Sequence, residues 1–248
     1  MKKETLIKFI DKYNLGDRIK MVNWKVTPSD KILRTRGEID SRMFIADVTL
    51  KDFVDITDAV RIPIASTQKV KAMLSPFEDD LTITLNKDGD RIKGFYASTK
   101  DCESYCTAAE PSAIPPVSKD ITDTIVYDVE ISLTDEFVGA FLKAKAALND
   151  VEEFTIKMNS KDQVEFVIGY SAANTNRINL VAPTKSGKDK LAGNPIKFPA
   201  GNVVEVLKAN KEMGGGTAFL SSNGVLKFVY DNPQFSCLYY QFASVKKS

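Results

Sequence analysis

The stretch of this chain nearest to a nucleotide-binding motif is Thr184-Lys185-Ser186-Gly187-Lys188-Asp189, where a Gly-Lys pair could cradle phosphate. In the pattern G-x-x-x-x-G-K-[ST] the first glycine falls on Ala182 and the final hydroxyl on Asp189, so the motif fails. Residues 184–193 therefore read as an exposed lysine-rich loop, with nonspecific phosphate contact as its only chemistry. Asp79-Asp80 and Glu152-Glu153 are adjacent carboxylates, but neighbours along a strand face opposite sides, so neither pair makes an acid/base dyad or a magnesium site. Cys102, Cys106 and Cys237 are an odd and sparse set for a disulfide framework, and Cys102 with Cys106 alone gives a zinc ion only two ligands. Gly214-Gly215-Gly216 relieves backbone strain between a helix and a strand, and Trp24 reads as a packing residue.

The chain has no histidine among its 248 residues. That removes Ser-His-Asp and Cys-His pairs, a base poised near neutrality and the usual histidine-containing zinc sites. The expectation is a protein that is not an enzyme and has no metal or cofactor. With 34 basic and 33 acidic residues the net charge is +1, which argues against coating nucleic acid by bulk basicity. An apolar content of 43% suits a chain that buries a real core, and the length suits one or two domains. Behind Met1-Lys2-Lys3, the residues Glu4, Lys8, Asp11 and Lys12 interrupt any apolar stretch, and no run approaches the ~18 residues of a membrane span. A reduced, soluble, cytoplasmic protein with no membrane partner is expected.

The elements follow from periodicity. Leu6, Ile7, Phe9, Ile10 and Tyr13 repeat at helical spacing and stop at Asn14-Leu15-Gly16. Strands are expected at 21–26, 32–36, 43–50 and 59–64, then a helix over 66–75 with Ser66 as N-cap and Pro76 past its end. Strands at 81–85, 91–97 and 102–108 complete the first half. Residues 110–123 contain Pro111, Pro115 and Pro116 and suit an extended, solvated connector. Domains are thus expected over 1–110 and 125–248, joined by 111–124. In the second half a helix is expected over 134–148, strands at 153–158, 163–169, 177–181 and 195–198, a helix over 200–210, and strands at 217–220, 225–230 and 235–242.

The halves match at a constant offset of 134 positions. Ile62 falls on Ile196, Ile64 on Phe198, Val70 on Val204, Leu85 on Phe219, Ile92 on Leu226, Tyr96 on Tyr230 and Tyr105 on Tyr239. Each half is then an α+β unit, an antiparallel sheet with two short helices on one face. Away from their apolar stripes these helices carry Lys8 and Lys12, Lys69 and Lys71, Lys143 and Lys145, and Lys208 and Lys211. Surface helices commonly carry lysine; what matters is the joint placement, which gives a neutral chain one basic face. Lysine outnumbers arginine 27 to 7, and a hydrated point charge suits sequence-independent phosphate contact better than reading of base edges.

Duplicated helix-and-sheet halves joined by a Pro-rich connector make the chain similar to the DNA sliding clamps, particularly the bacteriophage type, with proliferating cell nuclear antigen more distant. The closest local match is Gly94-Phe95-Tyr96-Ala97-Ser98-Thr99 running into Ala108-Ala109-Glu110-Pro111-Ser112, which resembles the last strand and connector start of phage clamps. The segment from Ile39 to Leu50 is similar to the loop and strand beside the partner pocket of the eukaryotic clamp.

The resemblance implies a homotrimer closed into a six-domain ring around double-stranded DNA, tethering a DNA polymerase and opened by a clamp loader. It implies that the eight lysines line the hole. It further implies subunit contacts through Tyr105 and Cys106 against Ile178 and Leu180, and a partner-peptide pocket at Ile39, Met43, Ile114, Val117, Tyr240 and Phe242. For Tyr240 a core-facing position is the competing reading. Two other classes remain open: a monomeric or dimeric processivity factor with an open basic face, and a structural or capsid-associated binding module that does not act on DNA.

Overall fold

The computed structural model describes residues 1–39, 43–78, 80–117, 124–170, 176–187, 191 and 195–244. Asp79, residues 40–42 of the Ile39 to Leu50 segment, residues 118–123 of the expected connector, and 188–190 with 192–194 of the lysine-rich loop lie outside them. Two compact units divide the chain. The first holds Met1–Ile39, Ala46–Val117 and Asn232–Cys237; the second holds Asp40–Ile45, Ser118–Asp231 and Leu238–Ser248.

The first unit runs α1 (Lys3–Asn14), β1 (Val22–Thr27), β2 (Ile32–Ile39), β3 (Phe44–Leu50), β4 (Arg61–Ile64), α2 (Thr67–Leu74), β5 (Thr82–Asp88), β6 (Arg91–Ser98) and β7 (Glu103–Thr107). Its strands form two antiparallel groups, β3-β2-β1-β4 and β5-β6-β7. The second unit runs β8 (Val129–Leu133), α3 (Asp135–Ala147), β9 (Glu153–Met158), β10 (Val164–Ile168), β11 (Ile178–Val181), β12 (Thr184–Ser186), β13 (Ile196–Pro199), α4 (Ala200–Ala209), β14 (Gly216–Ser221), β15 (Val225–Asp231) and β16 (Phe235–Phe242). Its groups are β11-β10-β9-β13 and β12-β8-β14-β15-β16, with the first residues of β16, 235–237, counted in the first unit and the first two of β3, Phe44 and Ile45, in the second.

The duplication therefore extends to topology. The order β3-β2-β1-β4 recurs as β11-β10-β9-β13, and β5-β6-β7 recurs as β14-β15-β16. Each residue pair at the 134 offset falls on corresponding elements, β4 with β13, α2 with α4, β5 with β14, β6 with β15 and β7 with β16. Among the described residues β8 and β12 have no counterpart strand in the first unit, where a single bridge between Lys2 and Asp80 stands in the place of the β8–β14 pairing, which is why the repeat does not announce them. They pair with each other, and β8 with β14, through contacts distant in sequence. Each expected sheet is thus divided in two.

Local chemistry sets the helix ends. Leu6, Phe9, Ile10 and Tyr13 form the buried stripe of α1, which ends where Leu15 turns left-handed at φ 50°. The Ser66 hydroxyl accepts from the Lys69 amide at 3.3 Å, and the Thr134 hydroxyl accepts from the Phe137 amide at 3.2 Å. Asp135 and Glu136 in the first turn of α3 complement its dipole. Residues 111–113 of the expected extended connector instead form a 3-10 turn, because Pro111 presets φ for its first position.

The cores are aromatic. Trp24 is 1% exposed, lies against Phe9 and Phe95, and donates its indole N–H to the Tyr13 hydroxyl at 3.1 Å. In the second unit Phe154 stacks between Phe166 and Phe198, with centroids 5.4 and 5.7 Å away, and Phe141 meets it edge-on at 5.3 Å. Phe154→Ala removes the ring all three touch and is expected to cost roughly 3–5 kcal/mol of unfolding free energy. Urea titration of the variant checks this, and a loss below about 1 kcal/mol would show that the cluster collapses around the gap.

Candidate functional site

The two helices of each unit pack side by side, α1 with α2 and α3 with α4. The Lys71 ammonium on α2 pairs with Asp11 on α1. Between α3 and α4 lies a cleft of about 360 Å3 lined by Val138, Leu142, Lys143, Leu207 and Lys211.

Of the eight expected lysines, Lys69, Lys143 and Lys211 are exposed and have no carboxylate partner among the described residues. Lys211 belongs to a 3-10 turn after α4 rather than to the helix. Lys8 pairs with Glu4 at 2.7 Å and Lys208 with Glu205 at 3.0 Å, exposed contacts worth little each. Lys145 donates to the carbonyls of Leu148 and Asn149 at 3.1 and 2.8 Å, capping the end of α3. Lys12 corrects the expectation. Its side chain is fully buried, with the ammonium 5.0 Å from the Phe235 ring centroid. It stands about 110° from the centre of the α1 stripe, on its flank rather than opposite, and Phe235 covers that flank.

The residues expected at a subunit contact lie on strands at the ends of their groups. β7 ends the β5-β6-β7 group and β11 ends the β11-β10-β9-β13 group. The Tyr105 ring lies 4.9 Å from that of Tyr96, tilted by 40°. Cys106 is buried beside a cleft of about 430 Å3 between α2 and β7, lined also by Ile64, Val70 and Met73. On β11 Ile178 and Leu180 are half-buried on one face, and Val181 is 51% exposed on the other.

Of the six expected pocket residues, Ile39, Ile114 and Val117 belong to the first unit and Met43, Tyr240 and Phe242 to the second. The Met43 carbonyl accepts from the Phe242 amide and from Gln241 Nε2, both at 3.0 Å, which brings Met43 and Phe242 together. Ile114 is only 6% exposed, so it is a packed residue and not an exposed connector contact. The turn at Pro111–Ala113 redirects the chain and carries Ile114 inward. Tyr240 is likewise 6% exposed, but its ring lies beside Lys227 on the face opposite the buried Ala218 and Phe228, so it is buried without facing that core. Residue reasoning missed Tyr127, Phe219 and Lys227. The rings of Tyr127, Phe219 and Tyr240 surround the Lys227 ammonium, with centroids 5.5, 6.0 and 5.7 Å away. The available signal was alternation, which sets Phe219 and Lys227 on the face opposite Ala218 and Phe228.

Among the described residues no three His, Cys, Asp or Glu side chains gather into a metal site, and no helix is long and apolar enough to cross a membrane. Burial pushes the Cys106 thiol up to about 11, opposed by the nearby Lys69 charge. Burial also raises the phenols of Tyr13 and Tyr127, so both stay protonated.

No protein-family model matches the chain, and no curated protein matches it in sequence. Solved structures do. A proliferating cellular nuclear antigen from Entamoeba histolytica matches at a TM-score of 0.72 and 13% identity, over 99% of this chain and 97% of that one. The PCNA2–PCNA3 complex from Sulfolobus tokodaii matches at 0.70 and 14%, over 98% and 97%. The chain has the α+β sliding-clamp fold.

The thiol fixes one pH response. Below the ordinary value of 9.0 the Cys106 thiol is protonated whether folded or unfolded. Between 9.0 and about 11 the unfolded thiol ionises while the folded one does not, so stability falls as pH rises. Urea midpoints at pH 8 to 11 should show this loss, shallower in Cys106→Ala; an unchanged slope in that variant would remove Cys106 as a cause.

Proposed function

We propose that this chain is a DNA sliding clamp, a polymerase processivity factor whose three copies close a ring of six clamp units around duplex DNA. The observation that carries the reading is the duplicated clamp fold with β7 and β11 standing at the ends of their strand groups. Pairing β7 of one copy with β11 of the next satisfies both edges, and a head-to-tail contact of this kind closes into a ring. Tyr105 and Cys106 then meet Ile178 and Leu180, and the α2–β7 cleft receives apolar side chains of the neighbouring copy.

In that ring Lys69, Lys143 and Lys211 contact phosphates, while Lys8, Lys71 and Lys208 exchange weak carboxylate partners for phosphate. Lys12 takes no part. Mobile single-point contacts of lysine hold DNA without reading its sequence, so the ring slides. The clamp performs no catalysis and needs no cofactor. A DNA polymerase and a clamp loader are its protein partners, docking near Met43 and Phe242. The segments 94–99 and 108–112 favour the bacteriophage type, which would place the protein in a host cytoplasm.

Light scattering at micromolar concentration should give about three times 27.5 kDa. Leu180→Asp should yield folded monomers that no longer remain on circular DNA after loading; a wild-type monomer would overturn the ring. Lys143→Ala with Lys211→Ala should lower the log-log salt slope of DNA binding by about 1.8, from roughly 0.9 per phosphate contact. An unchanged slope would remove these lysines from the DNA interface.

A further inference from the structure

An antiparallel sheet with one face on a core ordinarily turns polar residues outward on the other. The second unit departs from this. Cross-strand register sets Glu130 of β8, Phe219 of β14 and Lys227 of β15 in one row, opposite the buried row of Ile131, Ala218 and Phe228. Around Lys227 stand the rings of Phe219, Tyr127 and Tyr240. Val126, beside Tyr127, is 70% exposed.

The charges in this row are unequally satisfied. Glu130 is engaged by Lys185 at 3.1 Å. The half-buried Lys227 has no carboxylate partner among the described residues and is held by ring faces alone. Ring faces attract the cation but leave its three N–H donors without a strong acceptor. The Tyr127 hydroxyl is buried with no hydrogen-bond partner among the described residues, and burial keeps it a neutral donor. The Lys227 donors on this apolar, partly exposed face complement one ligand chemistry, an anion carried on an apolar chain.

We infer that Lys227 and its aromatic cage dock a carboxylate side chain of a partner peptide, whose neighbouring apolar residue lies against Val126. The inference rests on the proposed reading that proteins dock on this chain, and it names the chemistry they must present. The carboxylate would take the free N–H donors of Lys227 while the rings exclude water from the pair, and a charged hydrogen bond made there is worth about tenfold in affinity or more.

The test uses the full chain and two labelled pools of ten-residue peptides of matched apolar content, one with Asp fixed at the centre and one with Asn. The wild type should bind the Asp pool about tenfold more tightly. The preference should survive in Lys227→Arg, vanish in Lys227→Met and invert in Lys227→Glu, each variant first shown to be folded by circular dichroism. Equal binding of both pools by the wild type, or a preference that persists in Lys227→Met, overturns the inference. So does single-stranded oligonucleotide binding that is lost in Lys227→Met, which would make the cage a nucleic-acid contact. Retention on circular DNA, measured on the same proteins, separates the two readings. A ring that holds DNA without any Asp preference loses only the inference, and an Asp preference without DNA retention loses only the ring.

Discussion

The apolar stripe of each helix must lie against a sheet, and the placement of charge follows from that requirement. Once Phe9, Ile10 and Tyr13 of α1 are buried, Lys8 is left outside with Glu4, whereas Lys12 on the flank is carried under Phe235. In α3 the burial of Phe137, Phe141 and Ala144 leaves Lys143 exposed and turns Lys145 toward the carbonyls at the helix end. Lysines that look alike in sequence thus become exposed charges, helix caps or core residues according to their angle from the stripe.

Duplication gives both units the same strand order, and their ends differ in use. In the first unit β5-β6-β7 stops at β7, while the matching β14-β15-β16 is extended on its other side by β8 and β12. The backbone groups at the ends of β7 and β11 are what the proposed ring uses for closure. Glycine keeps the strand beside β7 close: a Cβ at Gly94 would come within 2.3 Å of the Cys106 carbonyl oxygen. A clamp needs contacts that are strong between copies and weak toward DNA. In the proposed ring, paired strand edges with apolar side chains would supply the first, and single lysine ammonium groups the second.

The outer row of the second unit shows how the proposed docking surface is concealed in an ordinary alternation. Phe219 occupies a position that a solvated face would fill with a polar residue, and Tyr127 precedes β8 outside any element. The cage joins the β14–β15 hairpin and β16 to Tyr127, which lies some ninety positions before Phe219, so local sequence does not show it.

Much was legible in the sequence because it depends on near neighbours. Helical and alternating periods, the Ser66 and Thr134 caps and the offset of 134 gave four helices, most strands and the repeated α+β plan, since these patterns reflect which face of a local element is buried. The strands β8 and β12 escaped because they are short, have no counterpart strand among the described residues of the first unit and are defined by pairing across more than fifty residues. The same holds for single side chains. Lys12 is buried by a residue more than two hundred positions away, Ile114 is drawn inward by a proline-started turn, and Lys227 is caged by rings from other strands. Sequence determined the elements and the charge available; only the tertiary structure decided which charges remain free, because burial is settled by segments that meet in space.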